Sequence, residues 1–451
     1  MRTFPIGGIH PSDNKEWSKD CPIEVMELPD QVAIPMVQHI GAPATPIVKK
    51  GDKVLTGQLI GQAGGFVSAN IHAPISGTVT SVDMYGNGQG LRRMMVIIKR
   101  EGDEWMQDID RSPEIKRECK LTPEEIIAKI KDAGIVGLGG AQFPTHVKLS
   151  VPAGQKAEML IINGVECEPY LTSDYRNMLE RGEMILVGVE ILMRALGVKR
   201  AVIGIEANKP AAVETLRALI AKGYYNGIEV QTLQTRYPQG GEKQLIAAVT
   251  GRQIAPPPAL PISVGVVLCN VSTAIAVYEA VQKNKPLIER VVTITGKELK
   301  ERHNYLMRLG TSVNTLIERA GGLPEGDVKV LNGGPMMGRV IVDIDTPVIK
   351  GCSGITVLSG AEARRGEVGT CIKCAKCVAV CPMSLEPYLL YKLARQKRWD
   401  LAEEHYNVDC IECGSCLYTC PANLPLLDYI RIGKQAVMTA IRARANANNN
   451  K

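Results

Sequence analysis

Hydrophobic positions change their rhythm several times along this chain. Over roughly residues 1–110, short β-branched runs are broken by glycine and proline, the pattern of an all-β domain. A polar stretch over 100–120 reads as a linker. Thr122, Pro123 and Glu125 then open a helix, with threonine as N-cap, proline at the first helical position and glutamate closing a capping box. From 120 to 286 the runs alternate. Residues 157–163, 201–205 and 228–233 read as buried strands and 210–222 and 242–249 as helices, which together predict an α/β sheet of Rossmann type. In a smaller unit over 287–350, a strand at 291–296, a helix at 312–320 stopped by Gly321 and Gly322, and a strand and turn at 328–335 follow one another. A cysteine-rich module occupies 360–430, with helical periodicity over 386–396 and 399–405. The segment 431–451 reads as a basic tail carrying Arg431, Lys434, Arg442 and Arg444, and its asparagine-rich end, 446–450, is predicted to be disordered.

Composition narrows the class. The chain has 451 residues, 45% hydrophobic and 22% charged, with a net charge of +6. That is ordinary for several globular domains with true cores. No apolar stretch of signal-peptide length opens the chain, and the uncharged run 253–278 is broken by Pro256, Pro257, Pro258 and Pro261, so no transmembrane segment is predicted. The mild basic excess is local and does not call for nucleic acid. Of 13 cysteines, eight fall in two runs and five are scattered, which fits a reducing, cytoplasmic compartment.

The two runs are Cys371, Cys374, Cys377, Cys381-Pro382 and Cys410, Cys413, Cys416, Cys420-Pro421, each C-x2-C-x2-C-x3-C-P. Three thiolates on one tight loop take three corners of a cubane, while the fourth cysteine points away and ligates the other cluster. One 4Fe-4S cluster is therefore assigned to Cys371, Cys374, Cys377 and Cys420, and a second to Cys410, Cys413, Cys416 and Cys381. The competing reading, a disulfide or zinc framework, stops at C-x2-C pairs and does not explain duplicated four-cysteine runs. Two adjacent clusters conduct single electrons.

A second constellation lies in the α/β region. The loop 134–148 carries Gly137, Gly139 and Gly140, where backbone amides can approach an anion, and ends on Lys148. Taken alone it reads equally well as a plain tight turn. Asn163, Glu166 and Glu168 leave one strand, and Asn270 and Thr273 follow another. Cys167 reads first as a structural thiol, and His72 as a structural side chain.

These segments, together with Tyr237 through Glu242, resemble the FMN- and NADH-binding domain of the complex I flavoprotein subunit. The segments 48–61 and 71–79 resemble the paired turns of a lipoyl-type barrel-sandwich; the stretch from Gly64 to Asn70 lacks the carrier lysine, so only the fold carries over. The unit over 287–350 resembles a β-grasp (SLBB-like) domain. The whole order of barrel-sandwich, flavin domain, β-grasp and α-helical two-cluster ferredoxin resembles the C-subunit family of Rnf ion-translocating electron-transport complexes. The resemblance implies that Gly137, Gly139, Gly140 and Lys148 hold the FMN phosphate and ribityl chain. Asn163, Asn270 and Thr273 would bind the flavin, and Phe143 would stack on the dinucleotide. Glu166, Glu168 and Glu242 would bind nicotinamide or ribose and form the catalytic set. Val165, Gly241 and Cys269 depart from the complex I pattern, so flavin binding carries over on more positions than nucleotide binding.

The two constellations need each other. NAD(H) exchanges a hydride and a 4Fe-4S cluster one electron, so a flavin belongs between them. The implied function is that of a peripheral subunit on the cytoplasmic face of the inner membrane. It would pass electrons between NAD(H), FMN and two clusters in ferredoxin:NAD+ oxidoreduction coupled to Na+ or H+ transport, with the other membrane subunits of the Rnf complex, including its ferredoxin-like subunit, as partners. Two alternatives stay open on the residues: a corrinoid reductase of similar layout, and an iron–sulfur relay whose flavin domain has lost its ligand.

Overall fold

Four apolar runs of the middle segment pair in parallel, in the order Ile228–Leu233, Ala201–Glu206, Met159–Asn163, Val266–Asn270. They belong to a computed structural model that describes residues 1–88 and 90–449. Both faces of this sheet are covered, which is why its strands are continuously apolar and not alternating. Leu160 and Ile162, beside Ile203, pack with Ile185 and Val277 on one side. Met159 and Ile161 face Val202, Leu245 and Ile246 on the other. The helices Gly182–Leu196 and Val271–Lys283 lie against each other so closely that a Cβ at Gly188 would sit 2.0 Å from the Ala274 carbonyl oxygen.

The path of the chain through the sheet fixes where a ligand can go. It enters at Met159–Asn163, moves outward twice to one side, and returns on the other side at Val266–Asn270. The direction of winding reverses between these two strands, whose last residues, Asn163 and Asn270, are register partners. In open α/β sheets the crevice outside the strand carboxyl ends at such a reversal is the binding site.

The N-terminal region forms two small antiparallel sheets. One holds Gln31–Pro35, Arg92–Gly102, Ser76–Gly86 and Lys53–Val54, and the other Thr45–Pro46, Leu59–Gln62 and Ile71–His72. Val32, Ile34, Ile60, Ile75, Val79 and Ile98 form the core they share. A separate six-stranded sheet combines distant segments. Ile23–Val25 runs parallel to His303–Arg308, and Gly354–Ser359 sits between Glu289–Thr295 and Val328–Asn332. This sheet therefore crosses the boundaries drawn from sequence at 110 and 350. The first residues of the chain also leave the N-terminal sheets: Arg2 bridges to Leu233 and Ile9 to Tyr237 of the parallel-sheet domain.

The capping box forms as expected, with Glu125 N donating to Thr122 Oγ1 and Thr122 N to the Glu125 carboxylate. The segment expected to be a partly disordered tail is instead helical, Leu426–Asn449. Val437 and Ile441 pack it on Leu393 and Ala402 of the helical insert, an apolar stripe that the asparagine-rich end masks. Of the expected disordered stretch, residue 450 lies outside the described residues. Among the described residues no helix is long and apolar enough to cross a membrane.

Candidate functional site

The glycine loop is closed by a hydrogen bond from Gly137 N to Phe143 O at 2.9 Å and tied to the crevice by Leu138 N, which donates to Thr273 Oγ1 at 2.9 Å. Gly139 packs on Asn270, where a Cβ would approach the asparagine Cβ to 3.0 Å, while Gly140, at φ +139°, is exposed with open space before it. Asn270 caps the helix Val271–Lys283: its Oδ1 accepts from Ser272 N at 2.8 Å and Thr273 N at 3.4 Å. Lys148, from the short helix after the loop, donates to Leu268 O at 2.9 Å and pairs with Glu242 at 3.5 Å. Asn163 Nδ2 donates to Gly240 O at 2.9 Å. Gly137, Gly139, Gly140, Lys148, Asn163, Glu242, Asn270 and Thr273 thus converge on the winding reversal, with Phe143 half-buried in the same loop. The exposed Gly139 and Gly140 and a lysine lie beside the strand ends, a cradle that fits a flavin phosphate. Most of the side chains expected to touch a flavin are first of all bonded to one another, and so build the cradle's shape.

Glu166 and Glu168 turn elsewhere. The Glu166 carboxylate accepts from Asp174 N at 2.8 Å and Tyr175 N at 3.1 Å, at the start of the helix Ser173–Glu180. Burial pushes its pKa up to about 7, against the opposing pull of Lys15. Glu168 accepts from Met336 N at 2.7 Å and Met337 N at 3.1 Å through one oxygen, and its other oxygen lies 3.4 Å from the Tyr237 hydroxyl oxygen. Burial raises its pKa as well. Of the three glutamates, only Glu242 pairs with the cradle's lysine. Cys167 accepts from Gly240 N at 3.4 Å, and burial holds its thiol well above the usual range, as for an unreactive structural cysteine.

The two cysteine runs fold alike. Positive φ recurs at Lys373 and Ala375 in the first and at Glu412 and Gly414 in the second, then at Ser384 and Asn423, three residues past the fourth cysteine of each run. The short helices Lys376–Ala379 and Ser415–Tyr418 occupy matching places. Cys381 joins Cys410, Cys413 and Cys416 around one cavity, walled by Leu385, Leu390 and Ile430. These are the four residues to which the spacing assigns the second cluster. Burial pushes the Cys410 thiol up to about 12 and raises Cys413 and Cys416 too, so thiolates here call for a cationic partner such as iron. Among the described residues no three His, Cys, Asp or Glu side chains are placed to hold a single metal ion. Cys371, Cys377 and Cys420 pack at the edge of the same apolar group, and Cys374 is exposed.

The two thiol sets are therefore unequal. The inner one is held by the rest of the protein. Tyr237 OH donates to Cys413 O at 2.7 Å, and Gly414, at φ +78°, lies where a Cβ would come 2.6 Å from Met336 O. Gly8 N donates to Val380 O at 2.8 Å, and Gln244 Nε2 reaches Pro382 O at 3.4 Å. The outer set lies beside Ile372, which is 68% exposed. Sequence reading missed Asp174, Ser272 and Met336 and gave Tyr237 no role, because each acts through a fold contact and not through a motif.

Four family models match the chain in order. These are the RnfC barrel-sandwich hybrid domain over 3–103, the Nuo51 FMN-binding domain over 130–279, the SLBB domain over 291–340 and the 4Fe-4S dicluster domain over 365–421. The C subunit of the proton-translocating ferredoxin:NAD(+) oxidoreductase complex of Clostridium ljungdahlii is 46% identical over 405 residues, 89% of this chain and 87% of that protein. Its Na(+)-translocating counterpart from Acetobacterium woodii is 43% identical over 439 residues, 97% of each chain. A solved NAD+-reducing NiFe hydrogenase shares the fold over 70% of this chain and 63% of its own, with a TM-score of 0.50 at 18% identity. The order of the four expected domains is borne out, and the chain belongs to the family of C subunits of ion-translocating ferredoxin:NAD+ oxidoreductase complexes.

Proposed function

We propose that this chain is the subunit through which an ion-translocating complex exchanges electrons with NAD(H), along a path of FMN, an inner 4Fe-4S cluster and an outer one. When bound, FMN supplies the exchange between a hydride and single electrons, and the clusters supply single-electron conduction. The chain's own residues do the rest. Lys148 and the amides of Gly139 and Gly140 would hold the flavin phosphate, on a loop that Gly137 closes through its own amide. Asn163, Asn270 and Thr273 would shape the crevice behind it, and Glu242 and Phe143 would line the nucleotide approach. Cys410, Cys413, Cys416 and Cys381 would hold the inner cluster, and Cys371, Cys374, Cys377 and Cys420 the outer. Glu166 and Glu168 act in this reading as positioning residues, one on the helix Ser173–Glu180 and one on the Met336 loop.

The carrying observation is the contact of the flavin domain with one thiol set, through Tyr237 and Cys413. It supports a direction, with the inner set next to the flavin and the outer set towards the partner subunits. A peripheral position on the cytoplasmic face, where NAD(H) is available, goes with this reading. The test is anaerobic addition of NADH to the FMN- and iron-loaded chain. Bleaching of flavin and cluster absorbance is expected, and a loaded chain that NADH leaves oxidised would overturn the proposal.

A further inference from the structure

We propose that Asp174 is a positioning residue of the flavin crevice, one that sets the orientation of the Asn270 amide and through it the place of the glycine loop. The inference rests on the flavin reading above. Asp174 lies in the first turn of the helix Ser173–Glu180, in a stretch without a motif. Its Oδ2 accepts from Asn270 Nδ2 at 2.6 Å and its Oδ1 from Ser272 Oγ at 2.5 Å. Ser272 Oγ in turn accepts from Asn177 Nδ2 at 3.1 Å.

An asparagine amide has a donor end and an acceptor end, and an ionised carboxylate only accepts. Asp174 therefore draws Nδ2 towards itself and leaves Oδ1 facing Ser272 N and Thr273 N, the orientation that caps the helix Val271–Lys283. With that turn in place, Thr273 Oγ1 meets Leu138 N and the glycine loop is held against the helix N-terminus. The series continues backwards, because Glu166 accepts from Asp174 N and fixes the start of the helix that carries it. Asp174 is also costly. Among the described residues no Lys or Arg nitrogen forms an ion pair with it, although burial works against its charged form. A half-buried carboxylate helped only at longer range by Arg290 and Lys15 keeps a charge on this tie at a desolvation cost, and that charge sits at the crevice through Asn270.

The experiment is Asp174→Asn in the full chain loaded with iron, read by FMN affinity from flavin fluorescence quenching and by the flavin midpoint potential. In the variant only one of the two side-chain atoms can accept, so either Asn270 Nδ2 or Ser272 Oγ meets an amide donor, and one of the two ties must break or reverse. FMN binding is expected to weaken about tenfold or more. The midpoint of the flavin that remains bound should rise, because a negative charge has gone, while iron content and both cluster EPR signals stay as in the wild type. A purely structural tie would lower the melting temperature and leave the midpoint in place. Ser272→Ala, which keeps the charge and removes one of its donors, should weaken FMN several-fold with little change in midpoint. Asp174→Asn that binds FMN within about twofold of wild type at the same midpoint overturns the proposal. If that variant is not recovered folded, Ser272→Ala with wild-type affinity overturns it instead. A wild-type chain that binds no FMN would overturn the flavin reading and this inference with it.

Discussion

The hydroxyl of Tyr237 donates a 2.7 Å hydrogen bond to the carbonyl oxygen of Cys413, joining the flavin domain to the loop of the inner thiol set. Both groups are buried, and the same tyrosine reaches Glu168, which holds the Met336 loop from the other side. Three parts of the chain distant in sequence thus fix one cysteine loop. Tyr237→Phe keeps the ring and removes the donor, leaving a buried carbonyl unsatisfied at a cost of about 1–3 kcal/mol. The inner cluster should then be lost to an iron chelator about tenfold faster, with FMN affinity unchanged. Equal rates of loss would show that the bond does not secure the junction.

Cys381 lies around one cavity with Cys410, Cys413 and Cys416 and not with its own run. Cys381→Ala is expected to remove the inner cluster and about half of the iron, while dithionite still reduces a cluster at the Cys371 set. Selective loss of that outer signal in EPR would refute the crossed ligation.

Lys148, on the helix adjoining the glycine loop, is held beside the crevice by Leu268 O and Glu242. Lys148→Ala should weaken FMN binding by about tenfold or more without changing iron content. Unchanged flavin stoichiometry after gel filtration would count against the cradle.

Lys350 is buried where the barrel-sandwich meets the flavin domain, its ammonium donating to Asn70 O and Gly134 O, and burial lowers its pKa to about 7. From about pH 7 up to about pH 10.5 the unfolded chain binds a proton here that the folded chain does not. Stability from this group therefore rises with pH through that window and is level below it, where both states carry the charge. His39 and His72 nearby are held neutral by burial and by the charge of Lys350, so they add nothing above pH 7. Melting temperatures of wild type and Lys350→Met, compared between about pH 7 and about pH 8.5, before unfolded cysteines ionise, should show a rise in the wild type that the variant lacks. Parallel curves would contradict the shifted lysine.

Sequence legibility followed how local each signal was. The two cysteine runs were readable because their local geometry is contained in a few residues of spacing. The parallel strands were readable because burial on both faces leaves unbroken apolar runs. The glycine loop, Lys148, Asn163 and Asn270 were readable as segments, but their meeting at the winding reversal depends on strand order, which periodicity does not encode. Asp174 and Ser272 carry no spacing signal, since they matter only once two helices meet. The strand Ile23–Val25 reads as part of its neighbourhood until His303–Arg308 is beside it. The final helix was hidden by an asparagine-rich end, although Val437 and Ile441 keep helical spacing on its inner face.

The central claim is a serial path, flavin to inner cluster to outer cluster. Its most direct test is rapid-freeze EPR of the FMN-loaded Cys381→Ala chain after anaerobic mixing with NADH, with dithionite reduction of the same sample confirming that the outer cluster is intact. The flavin should be reduced at the wild-type rate while the Cys371 cluster stays oxidised on the timescale at which wild type reduces it. Reduction of that outer cluster at the wild-type rate, with the inner one gone, would contradict the path.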